Sequence, residues 1–134
     1  MSKMILVVDD DAAILDSIKM ILELENYIVQ TSKEGETIYK MKNDYPDLLL
    51  LDIWMSGQDG RDVCKYLKQN PLTKNIPIIM VSASRDIMQS AKEAGADDFI
   101  TKPFEIDELL SKVAKYVDTA EYNKNVPMES TKLL

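Results

Sequence analysis

The chain has no histidine, a single cysteine, no surplus of basic residues and no apolar run long enough to span a membrane. Each shortage narrows what it can be. With a formal net charge of -7, the attraction to phosphate backbones that drives nonspecific nucleic-acid binding is missing, so direct DNA or RNA binding by this chain is not expected. Cys64 has no partner for an internal disulfide, and its neighbours Val63, Tyr66 and Leu67 put it on the apolar side of a helix as a buried thiol. From Met1 the chain runs directly into a strand-like segment, with no basic region followed by a signal-length apolar run. Cytoplasmic residence, away from the membrane, is the expectation.

What is present is ordinary for a folded domain. The 134 residues fit one domain, and a chain of this size buries roughly two-thirds of the surface it exposes when unfolded. Apolar residues make up 46% and charged residues 29%, too apolar a mixture for disorder.

Five short apolar runs predict strands: Met4 to Val8, Tyr27 to Val29, Leu48 to Leu51, Ile78 to Val81 and Phe99 to Ile100. Between them lie helical spacings, clearest at Ile14, Leu15, Ile18, Ile21 and Leu22, and at Ile106, Leu109, Leu110, Val113 and Val117. Weaker helical segments cover about 34 to 42, 61 to 69 and 87 to 94. Strands alternating with helices predict an α/β fold, a parallel sheet built through right-handed crossovers with helices on both faces. The unbroken runs Ile5-Leu6-Val7-Val8 and Leu48-Leu49-Leu50-Leu51 suit central strands buried on both sides. After Val117 the composition turns polar, so residues 1–118 read as the domain and 119–134 as a polar tail or the start of a linker.

The chemistry lies at the strand ends. Asp9, Asp10 and Asp11 follow the first strand, Asp52 the third, Ser82 the fourth and Lys102 the fifth. In an open parallel sheet these carboxyl ends share one edge, where ligands bind at the point at which strand order reverses. Taken singly, an aspartate after a strand is often a helix cap, and that is the reading for Asp11, just before the first helix. Ser82 alone says little, because hydroxyl residues are common where strands end. Together with Lys102, however, Asp9, Asp10 and Asp52 predict one pocket. Two unit charges about 4 Å apart at an effective dielectric near 20 repel by roughly 4 kcal/mol, so a cation should offset the carboxylates. Lys102 supplies one charge, and a hard divalent ion the rest. The ion expected is Mg2+ and not Ca2+, since no calcium-loop spacing occurs. In such a pocket one carboxylate can attack a phosphoryl group while metal, lysine and a hydroxyl meet its oxygens, roles that Asp52, Lys102 and Ser82 can fill.

Five signatures stand in order: Ile5-Leu6-Val7-Val8-Asp9-Asp10-Asp11, Pro46-Asp47-Leu48-Leu49-Leu50-Leu51-Asp52, Gly57-Gln58-Asp59-Gly60, Val81-Ser82-Ala83 and Lys102-Pro103-Phe104. Over about residues 3 to 117 the chain thereby resembles the response-regulator receiver domains of two-component (phosphorelay) signalling. The resemblance implies a flavodoxin-like, doubly wound sheet of five parallel strands in the order 2-1-3-4-5 with five helices on both faces. It implies that Asp52 accepts phosphate from a sensor histidine kinase or histidine phosphotransfer protein, which suits a chain without histidine. Mg2+ would be held by Asp9, Asp10, Asp52 and the backbone carbonyl of Trp54. Ser82 would move toward the new phosphoryl group, Lys102 would pair with it, and Phe99 would change rotamer, altering the face of the fourth helix, fifth strand and fifth helix. Phosphorylation-dependent pairing with a second copy is a further expectation of this kind. No enzymatic activity is implied beyond self-phosphorylation and self-dephosphorylation.

Two departures from the family pattern stand out. Ser56 occupies a position where proline is common, and Trp54 is large for a place that, with Ser84, influences how fast phosphate is lost. Trp54 also has a plainer reading, as an apolar cover on the pocket, and Phe99 as ordinary core. A phosphorylation-independent interaction module of the same fold is the alternative function. A Mg2+-dependent phosphohydrolase is a third, although no inserted cap segment supports it. No helix-turn-helix, kinase or cyclase segment follows residue 118, so the expectation is a stand-alone receiver or the amino-terminal piece of a longer regulator. The downstream effector is left open.

Overall fold

Alternate residues of the central strands enter two different cores. Leu6, Val8, Leu49, Leu51, Ile78 and Met80 pack on one side of the sheet, and Ile5, Val7, Leu48, Leu50, Ile79 and Val81 on the other. A strand buried on both faces needs apolar side chains at successive positions, which is what these uninterrupted runs provide. Each fully buried leucine or isoleucine contributes about 1.5–3 kcal/mol relative to exposure.

The computed structural model describes residues 2–55 and 57–125. The departure at Ser56 and the tail beyond residue 125 lie outside the described residues. In chain order the elements are β1 (Met4–Val8), α1 (Ala12–Leu24), β2 (Ile28–Ser32), α2 (Glu36–Tyr39), β3 (Leu48–Leu51), β4 (Trp54–Met55), β5 (Gln58–Asp59), α3 (Gly60–Gln69), β6 (Ile78–Ser82), α4 (Ile87–Ala94), β7 (Asp98–Thr101) and α5 (Ile106–Asn125). The main sheet is wholly parallel, in the order β2-β1-β3-β6-β7. Because β4 and β5 form a separate antiparallel ribbon, this is the expected flavodoxin-like order 2-1-3-4-5.

The helices divide between the two faces. Leu15, Ile18 and Leu22 of α1 and Leu109, Val113 and Val117 of α5 close one core. Ile38 of α2, Val63, Cys64 and Leu67 of α3, and Ile87, Ala91 and Ala94 of α4 close the other. Local signals start and stop these helices. The Asp11 carboxylate accepts from the N–H groups of Ala13 (2.9 Å) and Ile14 (3.3 Å) and so caps α1, the role expected for it. Gly95 ends α4 at φ 86°, a left-handed conformation that glycine adopts without steric cost.

Besides the unexpected β4–β5 ribbon and one-residue shifts at the ends of α3, β6 and β7, three segments differ from the sequence expectation. β2 begins one residue later and continues through Gln30, Thr31 and Ser32. As an edge strand it pairs only with β1, so polar residues can complete it facing solvent. α2 is a single turn anchored by one buried residue, Ile38. α5 continues to Asn125, into the segment expected to be a polar tail. Extending an established helix costs far less than nucleating one, so it can run on past Val117, which is buried in the core.

Candidate functional site

Strand register, set by the hydrophobic pattern, brings the distant polar residues together. Val8 pairs with Leu51, which sets Asp9 and Asp52 side by side just past the ends of β1 and β3. The N–H of Asp52 donates to the Val8 carbonyl at 3.0 Å. On the far side Ser82 pairs with Thr101, and the N–H of Lys102 donates to the Ser82 carbonyl at 2.9 Å. β1 is the strand from which the order turns in both directions, so Asp9 and Asp52 flank the switch point of the sheet.

One ligand oxygen each from Asp9, Asp10 and Asp52 lies within 4.8 Å of the others. Asp9 and Asp52 are buried, at 2% and 7% exposure, while Asp10 is open to solvent. Lys102 Nζ lies 2.6 Å from Oδ2 of Asp9 and 3.8 Å from Oδ2 of Asp52. Asp9 Oδ1 also accepts from the N–H of Asp11 at 2.9 Å. Burial, and next the charge of Asp9, push the Asp52 carboxyl from its ordinary 3.8 up to about 6. Lys102 and the backbone N–H of Trp54 work against that rise, and Asp10 adds to it. The pocket therefore holds more negative charge than one lysine neutralises, and a hard divalent cation fits the all-oxygen donor set.

The remaining sequence-predicted residues are near but differently placed. Ser82 is buried, and its hydroxyl accepts from the Ser84 N–H at 3.2 Å, which uses none of its donor capacity. Trp54 is 56% exposed, so it is a rim residue more than an apolar cover. Phe99 is half-buried against the core on the α3/α4 side, with Lys112 Nζ 5.0 Å from its ring centroid. The same ammonium donates to the Phe99 carbonyl at 2.6 Å. Cys64 is fully buried, and burial pushes its thiol up to about 11, in keeping with a structural role.

Three residues were quoted in the sequence only as parts of a motif, or not at all. At Gly60 a Cβ would lie 2.0 Å from the carbonyl oxygen of Asp52, so any side chain there would collide with the backbone of the acidic pocket. Gly60 N–H in turn donates to the Ile53 carbonyl at 2.7 Å. Asp59 caps α3 through the N–H of Arg61, and the Arg61 guanidinium stacks over the Trp54 ring, 4.7 Å from its centroid. The Asp-Gly pair opening a helix was a readable cap signal, but the stacking was not, because it depends on how the β4–β5 ribbon folds back.

A doubly wound parallel sheet whose switch point carries a carboxylate cluster, two of its three members buried, and a lysine is the architecture of a phosphorelay signalling domain. The sequence profile of the response regulator receiver domain matches residues 5–114. The chain belongs to that family. It is 40% identical over 116 residues to the response regulator PleD of Caulobacter vibrioides, covering 84% of this chain and 26% of PleD. It is 38% identical over 133 residues to the transcriptional regulatory protein ResD of Bacillus subtilis, covering 94% of this chain and 54% of ResD. The crystal structure of a CheY-like response regulator receiver domain protein from Methanospirillum hungatei superposes with a TM-score of 0.82 at 35% identity, over 92% of this chain and 99% of that one. The chain thus spans between a quarter and about half of these two curated relatives. Receiver domains as a family are not enzymes in the usual sense beyond their own phosphorylation and dephosphorylation. Family membership also implies a cognate histidine kinase or phosphotransfer partner. Among the described residues, no helix is long and apolar enough to cross a membrane.

Proposed function

We propose that the domain is a cytoplasmic phosphorylation switch whose acceptor is Asp52. The observation that carries this reading is the position of Asp52: buried at the switch point, beside Asp9 and within 3.8 Å of the Lys102 ammonium. With its carboxyl pushed up to about 6, Asp52 is still largely ionised near neutral pH and competent as a nucleophile. A carboxylate oxygen of Asp52 forms a bond to phosphorus as the bond from phosphorus to the donor's leaving atom breaks, and the leaving imidazole of a histidine donor takes up a proton.

Asp9, Asp10, Asp52 and the Trp54 carbonyl would hold Mg2+, which when bound neutralises charge on the transferring oxygens. Lys102 can shift from Asp9 toward the new phosphoryl group, and the Ser82 hydroxyl can donate to another of its oxygens. Such contacts switch the domain only if they favour one of two existing conformations. Ser82 and Phe99 would carry that preference to the face formed by α4, β7 and α5, where a downstream effector or a second copy docks. Trp54, with Ser84, would set how long the phosphate lasts.

The test is intact-mass measurement after incubation with Mg2+ and acetyl phosphate, beside Asp52→Asn. One phosphoryl adduct on the native chain and none on the variant is expected. An unmodified native chain across donor and metal concentrations would leave a phosphorylation-independent module as the reading.

A further inference from the structure

β7 is an edge strand of the main sheet, and at Phe99 side chains meet the backbone groups that a further strand would pair. The Phe99 N–H donates to Asp98 Oδ1 at 2.8 Å, and its carbonyl accepts from Lys112 Nζ of α5 at 2.6 Å. The same ammonium pairs with Asp98 Oδ1 at 3.1 Å and lies 5.0 Å from the centroid of the Phe99 ring. Asp98 is held from α5 a second time, because its Oδ2 accepts from the Tyr116 hydroxyl at 3.0 Å. Part of this cluster's work is structural, since charged side chains cover an unpaired strand edge.

The contacts of Lys112 differ in what they depend on. Its bonds to the Phe99 carbonyl and to Asp98 involve no atom of the ring, so they keep the ammonium in place wherever the ring goes. The cation–π contact lasts only while the ring lies where it does now. A contact biases a two-state equilibrium only when it differs between the states, and among these contacts the one to the ring differs.

We infer that Lys112 is a positioning residue that acts as a brake on Phe99: fixed to the backbone of β7, its ammonium favours the ring position seen here and opposes the rotamer change assigned to this residue. The link to signalling rests on the reading of Asp52 as acceptor and of Phe99 as a carrier of its conformational preference. Without the charge the ring leaves more often. The conformation that the phosphoryl group favours then gains population with no change in the acidic pocket.

The chain has two phenylalanines, Phe99 and Phe104, so fluorophenylalanine gives two fluorine NMR resonances, assigned with Phe104→Leu. Beryllofluoride with Mg2+, a reversible mimic of a phosphoryl group on a carboxylate, supplies the other state, and calorimetry reads its affinity. Lys112→Met, which keeps an apolar stem, should move the Phe99 resonance toward its mimic-bound position. It should also tighten the mimic roughly two- to fivefold, the factor a partly exposed cation–π contact corresponds to. Losing a positive charge would by itself weaken binding of an anion, so tighter binding reports the released ring. Lys112→Arg, which keeps a cation and its donors, should stay near native in both readouts. Asp98→Asn, which loses the ion pair that helps to fix Lys112, should shift both the same way by less, and serves if Lys112→Met folds poorly. Unchanged or weaker mimic binding by folded Lys112→Met overturns the inference, because a mere edge cover would lower stability and leave affinity where it was. A Phe99 resonance that does not move in that variant removes the hold on the ring. A native chain that binds no beryllofluoride overturns the reading of Asp52, and with it the link to signalling.

Discussion

Lys102 Nζ lies 2.6 Å from Oδ2 of Asp9, closer than its 3.8 Å approach to Asp52. The lysine therefore neutralises a carboxylate proposed to bind metal and stands off from the proposed acceptor. A buried carboxylate that loses its cationic partner is strongly destabilising, by about 3 kcal/mol. Lys102→Met should accordingly lose about that much stability in metal-free urea denaturation near neutral pH. Millimolar Mg2+ should stabilise this variant more than the native chain, because the ion replaces the missing charge. Equal stabilisation of the two proteins would count against a shared electrostatic role for lysine and metal.

Asp52 predicts an effect of opposite sign. Its folded-state value of about 6 lies above the ordinary 3.8, so the folded protein holds the proton more tightly than the unfolded chain. That contribution is complete below the unfolded value and is lost as pH rises through the folded one. Above neutral pH the ionised side chain should therefore cost stability, on the order of 2 kcal/mol. Metal-free Asp52→Asn should be the more stable protein at mildly alkaline pH, with the gap closing as pH falls from about 6 to about 4. A gap that does not vary with pH would show that Asp52 is not strained by its surroundings.

Gly60 tests the backbone behind the pocket. Because a Cβ there would sit 2.0 Å from the Asp52 carbonyl, Gly60→Ala must displace α3 or the loop carrying Asp52. A loss of about 2 kcal/mol or more is expected in chemical denaturation. Phosphorylation should slow roughly tenfold even in the fraction that remains folded, since small misplacements of reacting groups cost that much. Native-like rates in a folded Gly60→Ala protein would show that the loop position is not critical.

Much of the fold was legible because its determinants are local. Met4 to Val8 and Leu48 to Leu51 are apolar without interruption, and the structure uses both runs unchanged as β1 and β3. Asp11 announced itself as a cap by its position before a helical spacing. β2 was harder to bound, since an edge strand needs no apolar residue on its solvent side, and Gln30 and Thr31 look like turn residues in a linear reading.

The sequence by itself determined the α/β alternation, the strand ends bearing Asp9, Asp10, Asp52, Ser82 and Lys102, and through them the family. These follow from periodicities of two and 3.6 residues and from the rule that parallel strands end on one edge. Only the tertiary structure decided which partner Lys102 takes, that Gly60 stands against the Asp52 carbonyl, and that Arg61 covers Trp54. Those relationships depend on strand register and on how the β4–β5 ribbon folds back over α3, where ångström-scale distances, invisible in residue order, set both charge balance and steric fit.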